Sequence, residues 1–489
     1  MLQTKFRALL DYGLTKGLIK ENEKQKTFYR LVSFFGTNEA YSDYKSKNKV
    51  LELEPLLVDL VNYAIKHEII TNNQKDYFET EIMNVFSWSE TKVVQRFKKD
   101  YTLSPSVALD DFYKYCCDIN YVKLAAIKKN KHFNYQDDDI KLEITINLSK
   151  PEKDPKAIAL AKNQQSKTGP RCDLCLENVG YTNYLDKNKQ TLRIIPLELN
   201  KQPFFFQFSP YSYFYQHSIV VKNLHTPLKI TNNTIEELIA FVDQFPTYII
   251  GSNADLPIVG GSILSHNHYQ CGLHSFPLEQ AKSLTTIKYS NTDVSLLNWP
   301  ISTLKIEGND SKSVVKAVNL LKNAWESYQN KDLGIINSKQ DRHNSVNPII
   351  RKLNNTYIVY LMLRNNYTNK VYPDGVFHVH PEHFHIKKEN IGLIEALGLA
   401  ILPPRLDKEL KEVKEALKNP TKVNMSDLGI QQNWYLQLKT KYRGDVSLDA
   451  FLKQEVGSEF KQCLENCGVF YNHSKDFIEF VGGVFKCMK

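Results

Sequence analysis

Residues 260–272 read Gly-Gly-Ser-Ile-Leu-Ser-His-Asn-His-Tyr-Gln-Cys-Gly, and they place three polar side chains, His266, His268 and Gln270, at alternate positions. On an extended strand, alternate side chains project from the same face. Two imidazoles and a carboxamide on one face are costly to bury unless each finds a partner. The paired glycines that open the stretch predict a close approach of the main chain to a ligand. The stretch therefore predicts a strand that carries a functional site.

A second alternation of histidines lies downstream. Residues 377–385 read Phe-His-Val-His-Pro-Glu-His-Phe-His and follow an apolar strand predicted over 356–364. A helix is predicted next, over 386–402. A strand, a His-x-His and a helix thus occur in both parts of the chain, which indicates a degenerate internal duplication.

The pattern of apolar residues changes along the chain. Residues 1–135 are typical of helices, whereas 142–148 alternate apolar and polar residues as a half-buried strand does. We therefore predict an α+β fold with three parts. These are an N-terminal helical region and two halves, with the bounds 1–135, 136–300 and 301–489.

The composition is that of an ordinary globular protein, with 42% hydrophobic and 24% charged residues among 489. The net charge of +9 lacks a basic stripe interleaved with aromatics, so it suits anionic substrates such as phosphates better than nucleic acid. No apolar run reaches the roughly 18 residues that span a bilayer. Eight cysteines in a chain of this length suit a reducing compartment better than a disulfide scaffold. We expect a cytoplasmic protein with neither a membrane nor a nucleic-acid partner.

A Cys-x-x-Cys pair, Cys172 and Cys175, precedes the central stretch. This spacing lets two thiolates bind one tetrahedral zinc ion. A thioredoxin-like redox pair has the same spacing, but its expected βαβ context is missing. Zinc would need two further ligands downstream. His225, just past a predicted strand, is a candidate third ligand, and the alternative is an ordinary loop histidine.

Together these motifs resemble those of the galactose-1-phosphate uridylyltransferases, in the longer type 2 branch of that family. The family carries a His-x-His-x-Gln motif, which His266, His268 and Gln270 match. The resemblance runs from about residue 140 to 410. Its other segments lie at 171–181, 209–214, 256–266, 342–348 and 383–395.

The resemblance implies two histidine-triad-like α+β halves with antiparallel sheets and flanking helices, and a double-displacement reaction. His268 would attack the α-phosphorus of UDP-glucose and expel glucose 1-phosphate, and galactose 1-phosphate would then take the UMP to give UDP-galactose. A neutral imidazole is nucleophilic near neutral pH and leaves readily from its N-phosphoryl adduct. Gln270 would donate hydrogen bonds to the phosphoryl oxygens. A carboxamide in place of the third histidine of hydrolytic relatives favours transfer, and a homodimer is expected because relatives are commonly dimers.

The resemblance also implies metal sites. One is a closed, structural zinc site of the Cys2His2 type, formed by Cys172, Cys175, His225 and His266. In that arrangement the lone pair of His266 is on the metal, so His266 is not the nucleophile. Some relatives have a second metal, whose candidate ligands here do not align cleanly with the family pattern: Glu279, His343, His378 and His380.

Further substrate contacts follow from the same mapping. His378 and His380 are alternative contacts to a substrate phosphate. Asn253 and Asn200 are candidate contacts to uridine or ribose. Two serines of the central stretch, Ser262 and Ser265, are candidate phosphate contacts.

Two other functions remain open at this point. One is another histidine-triad-superfamily enzyme, such as a dinucleoside polyphosphate phosphorylase or a hydrolase. The other is a zinc-stabilised binding module without catalysis. The presence of both His268 and Gln270 argues against the second, because a binding module has no need of a nucleophile.

Overall fold

The computed structural model describes residues 2–44, 52–149, 169–183, 188–261, 263–421 and 423–486. Within these ranges, no helix combines the length and the apolar character required to cross a membrane.

The N-terminal region is helical, as predicted, and its helices share a hydrophobic core with the sheet that follows. Phe112, for example, packs against Phe206 and Phe208 of that sheet. Serines cap two of the helices, since the side chains of Ser89 and Ser104 accept hydrogen bonds from the backbone of the first turn. The described helices of this region are Leu2–Thr15 (α1), Lys24–Phe35 (α2), Leu53–Lys66 (α3), Lys75–Asn84 (α4), Glu90–Tyr101 (α5), Pro105–Asp118 (α6) and Leu124–Ile127 (α7).

The rest of the chain combines thirteen described strands with seven more described helices. The strands are Lys131–Gln136 (β1), Lys141–Ile146 (β2), Ile195–Leu199 (β3), Gln202–Phe208 (β4), Ser218–Lys222 (β5), Ile249–Gly251 (β6), His268–Gly272 (β7), Ser283–Tyr289 (β8), Thr292–Leu297 (β9), Thr303–Gly308 (β10), Asn344–Leu353 (β11), Thr356–Asn365 (β12) and Leu399–Leu402 (β13). The helices are Asn232–Gln244 (α8), Ser311–Ser327 (α9), Leu393–Ala396 (α10), Leu406–Lys418 (α11), Gln432–Lys441 (α12), Leu448–Asn466 (α13) and Ser474–Lys486 (α14).

Ten of the strands form one antiparallel sheet in the order β3-β4-β5-β7-β6-β11-β12-β10-β9-β8. Each half of this sheet has the same plan. Three strands run up and down, a helix follows (α8 or α9), and two further strands pair so that the last lies next to the third. The two halves meet where β6 pairs with β11, with Ile250 opposite Ile350. The predicted α+β fold is confirmed, and the strand order shows an internal repeat in the sheet.

The register of the sheet identifies which residues correspond between the halves. Gly251 pairs with Gln270 in the first half, and its counterpart Arg351 pairs with Ile358 in the second. Ile358 therefore corresponds to Gln270, and Thr356 corresponds to His268. The expectation that the second His-x-His repeats the first was wrong, because residues 378–380 lie beyond β12. The second repeat also begins at β8, ahead of the predicted boundary at residue 301.

A three-stranded sheet, in the order β1-β2-β13, covers one face of the second half together with helices α11, α12 and α13. Strand β13 pairs in parallel with β2. The helix predicted over 386–402 was therefore wrong. That segment contains the short helix α10 and then β13, a buried apolar run. Its apolar content cannot by itself distinguish a buried strand from a helix.

Gly398 separates α10 from β13, and its φ of +100° lies in a region that residues with a Cβ rarely adopt. A Cβ there would come within 2.9 Å of Pro277 Cβ and 3.0 Å of Trp299 Cη2. We predict that Gly398→Ala lowers the free energy of unfolding by about 1–3 kcal/mol, measured by urea denaturation. Gly482→Ala is the control, because no atom lies within 4 Å of a Cβ at that helical position. Equal stability of the Gly398→Ala variant and the wild type would contradict this account of the turn.

Candidate functional site

Strand β7 separates two sets of side chains. Tyr269 points towards helix α8, where its hydroxyl donates a hydrogen bond to the buried carboxylate of Glu237. His268 and Gln270 therefore project from the opposite face, as the alternation in the sequence predicts. On this face of the first half, a small apolar cluster of Leu174, Phe205 and Val221 lies beside them.

One imidazole nitrogen of His268 is held by the backbone. Its Nδ1 lies 2.8 Å from the carbonyl oxygen of His266. A carbonyl can only accept, so Nδ1 carries the proton and Nε2 carries the lone pair. Among the described residues, Nε2 has no hydrogen-bond partner. Burial lowers the pKa of His268, which favours this neutral form.

The side chain of Gln270 is half-buried. Its Oε1 lies 3.2 Å from Nε2 of His217, the residue that precedes β5. The carboxamide is thus attached at one end to a buried imidazole.

Four metal-ligating side chains lie beside this strand. The ligand atoms of Cys172, Cys175, His225 and His266 are all within 4.8 Å of one another. The two sulfurs are 3.6 Å apart, and the sulfur–Nδ1 separations range from 3.0 to 3.8 Å. A tetrahedral ion with ordinary Zn–S and Zn–N bonds separates its ligand atoms by roughly 3.3–3.8 Å. The arrangement could therefore hold a metal ion.

Hydrogen bonds to neighbouring groups orient three of these four residues. Nε2 of His266 donates to the carbonyl of Lys222 at 2.8 Å, which turns Nδ1 towards the thiols. The Asn178 side chain donates to the carbonyls of Cys172 and Cys175 and so closes the turn between them. These contacts leave the four ligand atoms facing one another.

The second half contributes polar groups next to the loop that precedes β7. The side chain of Asn253 is buried, and its Oδ1 accepts from the backbone N–H of Leu393 at 2.9 Å. A Cβ on Gly261 would come within 2.5 Å of the Asn253 amide. The close approach predicted for the paired glycines therefore occurs between Gly261 and the side chain of Asn253.

Asn347 and Arg364 extend this group. Asn347 donates to the carbonyl of Ser252 and accepts from the buried guanidinium of Arg364. Arg364 also donates to the carbonyl of Ile391, and burial lowers its pKa. No carboxylate forms an ion pair with Arg364 among the described residues.

His378 reaches the same region through Asn390. Its Nε2 lies 3.1 Å from Asn390 Oδ1, and its Nδ1 lies 3.0 Å from the carbonyl of Val379. The imidazole is buried, which lowers its pKa. The ring of His380 stacks instead on the ring of Tyr372, with 4.2 Å between the ring centroids.

The predicted second metal set is not brought together. Glu279 is paired with Arg351 at 2.8 Å, and His343 bonds to Asn366 and Asp341. His378 and His380 have the separate partners described above. Over the described ranges, the cluster that contains Cys172 is the one group of three or more such side chains arranged to hold an ion.

The remaining predicted contacts are scattered. Asn200 lies at the turn between β3 and β4, and its amide donates to Asn233 and Glu236 of α8, so it is not brought to His268. Ser265 is exposed in the loop just before His266. Ser262 lies outside the described residues.

Sequence reasoning gave no role to His217, Asn347 or Arg364. Asn347 lies in the segment 342–348, which resembles the family, and this resemblance could have indicated that Asn347 belongs to the site. Arg364 lies at the end of the strand predicted over 356–364, and the partners of both His217 and Arg364 are distant in the sequence. Only the folded arrangement of the strands reveals them.

The sheet with its internal repeat thus carries a histidine and a carboxamide on one strand, beside a Cys2His2 cluster that could hold a metal ion. Comparison with known proteins identifies the family. The N-terminal domain of galactose-1-phosphate uridyl transferase matches residues 18–227, and the C-terminal domain matches residues 237–433. The chain belongs to the galactose-1-phosphate uridylyltransferase family, which consists of nucleotidyltransferases.

Individual relatives match over nearly the full length. The galactose-1-phosphate uridylyltransferase of Clostridium perfringens (strain 13) is 40% identical over 472 residues, covering 94% of each chain. That of Bacillus subtilis (strain 168) is 39% identical, covering 94% of this chain and 93% of the relative. A solved yeast Ap4A phosphorylase in complex with Ap4A has a TM-score of 0.33 and 13% identity, covering 63% of this chain and 93% of that chain. At that score the likeness supports no inference.

Proposed function

We propose that the protein transfers UMP from UDP-glucose to galactose 1-phosphate through a covalent intermediate on His268. Membership of the family supports the reaction. The observation that carries the role of His268 is its hydrogen bond to the His266 carbonyl, which leaves the Nε2 lone pair facing away from the backbone.

The proposed reaction consists of two displacements at the α-phosphorus. In the first, Nε2 forms a bond to the α-phosphorus of UDP-glucose, and the bond from that phosphorus to the bridging oxygen of glucose 1-phosphate breaks. In the second, a phosphate oxygen of galactose 1-phosphate attacks the same phosphorus, the P–N bond breaks, and UDP-galactose leaves. The imidazole of the intermediate carries positive charge, which the His266 carbonyl stabilises through the Nδ1 proton.

Gln270 acts on the phosphoryl group. It lies two residues along the strand and on the same face as His268. Its amide donates hydrogen bonds to the non-bridging oxygens, where charge is held in the transition state. Asn253, Ser262, Ser265, His378 and His380 remain candidate substrate contacts.

We also propose that Cys172, Cys175, His225 and His266 hold a zinc ion. Four protein ligands form a closed site, so bound zinc supplies a structural cross-link and no open coordination position. Because His266 belongs to this set, the cross-link fixes the carbonyl that orients His268. The reduced thiols suit the cytoplasm, and a homodimer is expected from the resemblance.

The intermediate can be tested directly. We expect UDP-glucose labelled in its α-phosphate to leave label on the wild-type protein without acceptor, and galactose 1-phosphate to discharge it. His268→Ala should carry no label, and its turnover should fall by more than about a thousandfold, because no other group replaces the nucleophile. The quench must stay mildly alkaline, since the P–N bond of phosphohistidine is labile in acid.

Circular dichroism and zinc content of His268→Ala serve as the controls for folding. Normal turnover by this variant would remove His268 from the mechanism. An unlabelled wild type that instead cleaves a dinucleoside polyphosphate would favour a phosphorylase or a hydrolase, and a protein inert to both substrates would favour a binding module.

Zinc binding makes a separate prediction. Cys172→Ser should reduce the zinc content from about one ion per chain to near zero and lower the melting temperature, because one of four ligands is lost. Zinc is measured by atomic absorption. Cys117→Ser, which removes a half-buried thiol outside the cluster, is the matched control. Equal zinc in Cys172→Ser and wild type would exclude the Cys2His2 set.

A further inference from the structure

The imidazole of His217 is buried and makes one hydrogen bond to the described residues. It precedes β5 and packs against the rings of Tyr213 and Phe214, at centroid distances of 5.4 and 4.7 Å. Its Nε2 faces Oε1 of Gln270 at 3.2 Å. Its Nδ1 is buried and has no hydrogen-bond partner among the described residues.

The unpartnered Nδ1 decides the tautomer. A buried N–H group without an acceptor is rare in folded proteins, whereas a buried acceptor without a donor is tolerated more often. The proton therefore resides on Nε2, which donates to Oε1 of Gln270. Burial lowers the pKa of His217 to about 4, so the ring is neutral at physiological pH.

This hydrogen bond fixes the amide of Gln270. The terminal torsion of a glutamine side chain is broad and nearly two-fold, so an unrestrained amide can present either its oxygen or its NH2 group. With Oε1 occupied by His217, the NH2 group is the end left for the substrate. A flipped amide would instead place a carbonyl oxygen against the anionic phosphoryl oxygens.

We infer that His217 is a positioning residue that keeps the NH2 group of Gln270 directed at the transferred phosphoryl group. This inference rests on the proposed function of Gln270. It adds a group that contacts neither substrate nor His268 but controls which end of the carboxamide the reaction meets.

Three variants separate this role from simple packing. His217→Phe keeps a ring among Tyr213 and Phe214 but removes the donor. His217→Gln retains an N–H donor in place of Nε2–H. His385→Phe is the matched control, because His385 is also buried against an aromatic ring, that of Trp434, and contacts no residue of the proposed machinery.

The measurement is the single-turnover rate at which labelled UDP-glucose modifies the protein. We expect His217→Phe to slow this rate about 10–100-fold, less than the full loss of a transition-state donor, with the dissociation constant for UDP-glucose changed less than about twofold. His217→Gln should recover most of the rate, and His385→Phe should match the wild type. In a Gln270→Ala background, His217→Phe should cause no further loss.

Two results would overturn the inference. One is an equal loss in His217→Phe and His217→Gln. The other is an undiminished effect of His217→Phe when Gln270 is already alanine, because either result assigns His217 a packing role.

A measurement on the wild type keeps the inference independent of the proposed reaction and of the folding of the variants. Long-range 1H–15N spectra of protein labelled at histidine nitrogen report the tautomer without substrate. A protonated Nε2 with an unprotonated Nδ1 at His217 is expected, and the opposite tautomer would overturn the inference. A wild type that shows the expected tautomer but forms no UMP adduct would refute the proposed function instead.

Discussion

The hydrogen bond from Nδ1 of His268 to the carbonyl of His266 joins the two chemical parts of this protein. The carbonyl belongs to a residue whose imidazole faces the cysteine pair, and the acceptor is therefore fixed by the same residue that lies in the metal-ligating cluster. A flexible loop could not hold a ring this way, because a backbone acceptor orients a side chain only when the backbone itself is held. The sheet provides part of that support through β5, where Lys222 accepts from His266 and Val221 pairs with His268.

The two halves of the sheet share a strand order but differ in what covers the equivalent face. In the first half, the face that carries His268 and Gln270 borders a small apolar cluster and the cysteine turn. In the second half, Ile358 occupies the position of Gln270 and is packed in a core with residues of β2, β13 and α13. Buried carboxamides need partners, whereas an isoleucine gains stability from burial alone. The isoleucine on the second strand and the apolar cover over it are thus consistent with each other.

Much of the first site could be predicted because its signals are local. Alternate polar residues on a strand specify a face, and the spacing of two cysteines predicts that their thiols lie close enough to share an ion. The resemblance favoured His225 as the third ligand, whereas the residues alone left open a ligand or a loop histidine. The prediction of a helix over 386–402 was wrong because a buried parallel strand and a buried helix both have continuous apolar sequences. Asn200 donates to Asn233 and Glu236 of α8, and these partners could not be predicted because only the packed helix brings them to the turn between β3 and β4.

The residues that sequence reasoning missed share one property, which is that their roles come from contacts across the two halves or between distant strands. Arg364 is buried and forms no ion pair with a carboxylate in the part of the chain that the structure describes, an arrangement that is costly unless neighbouring dipoles compensate. Here the carbonyl of Ile391 and the amide of Asn347 do so, and Asn347 in turn holds Ser252 beside Asn253. The backbone of Leu393 completes the link by donating to Asn253. The segment next to the first site is therefore held by groups of the second half, so the half that has Thr356 at the position of His268 still contributes to the geometry around that site.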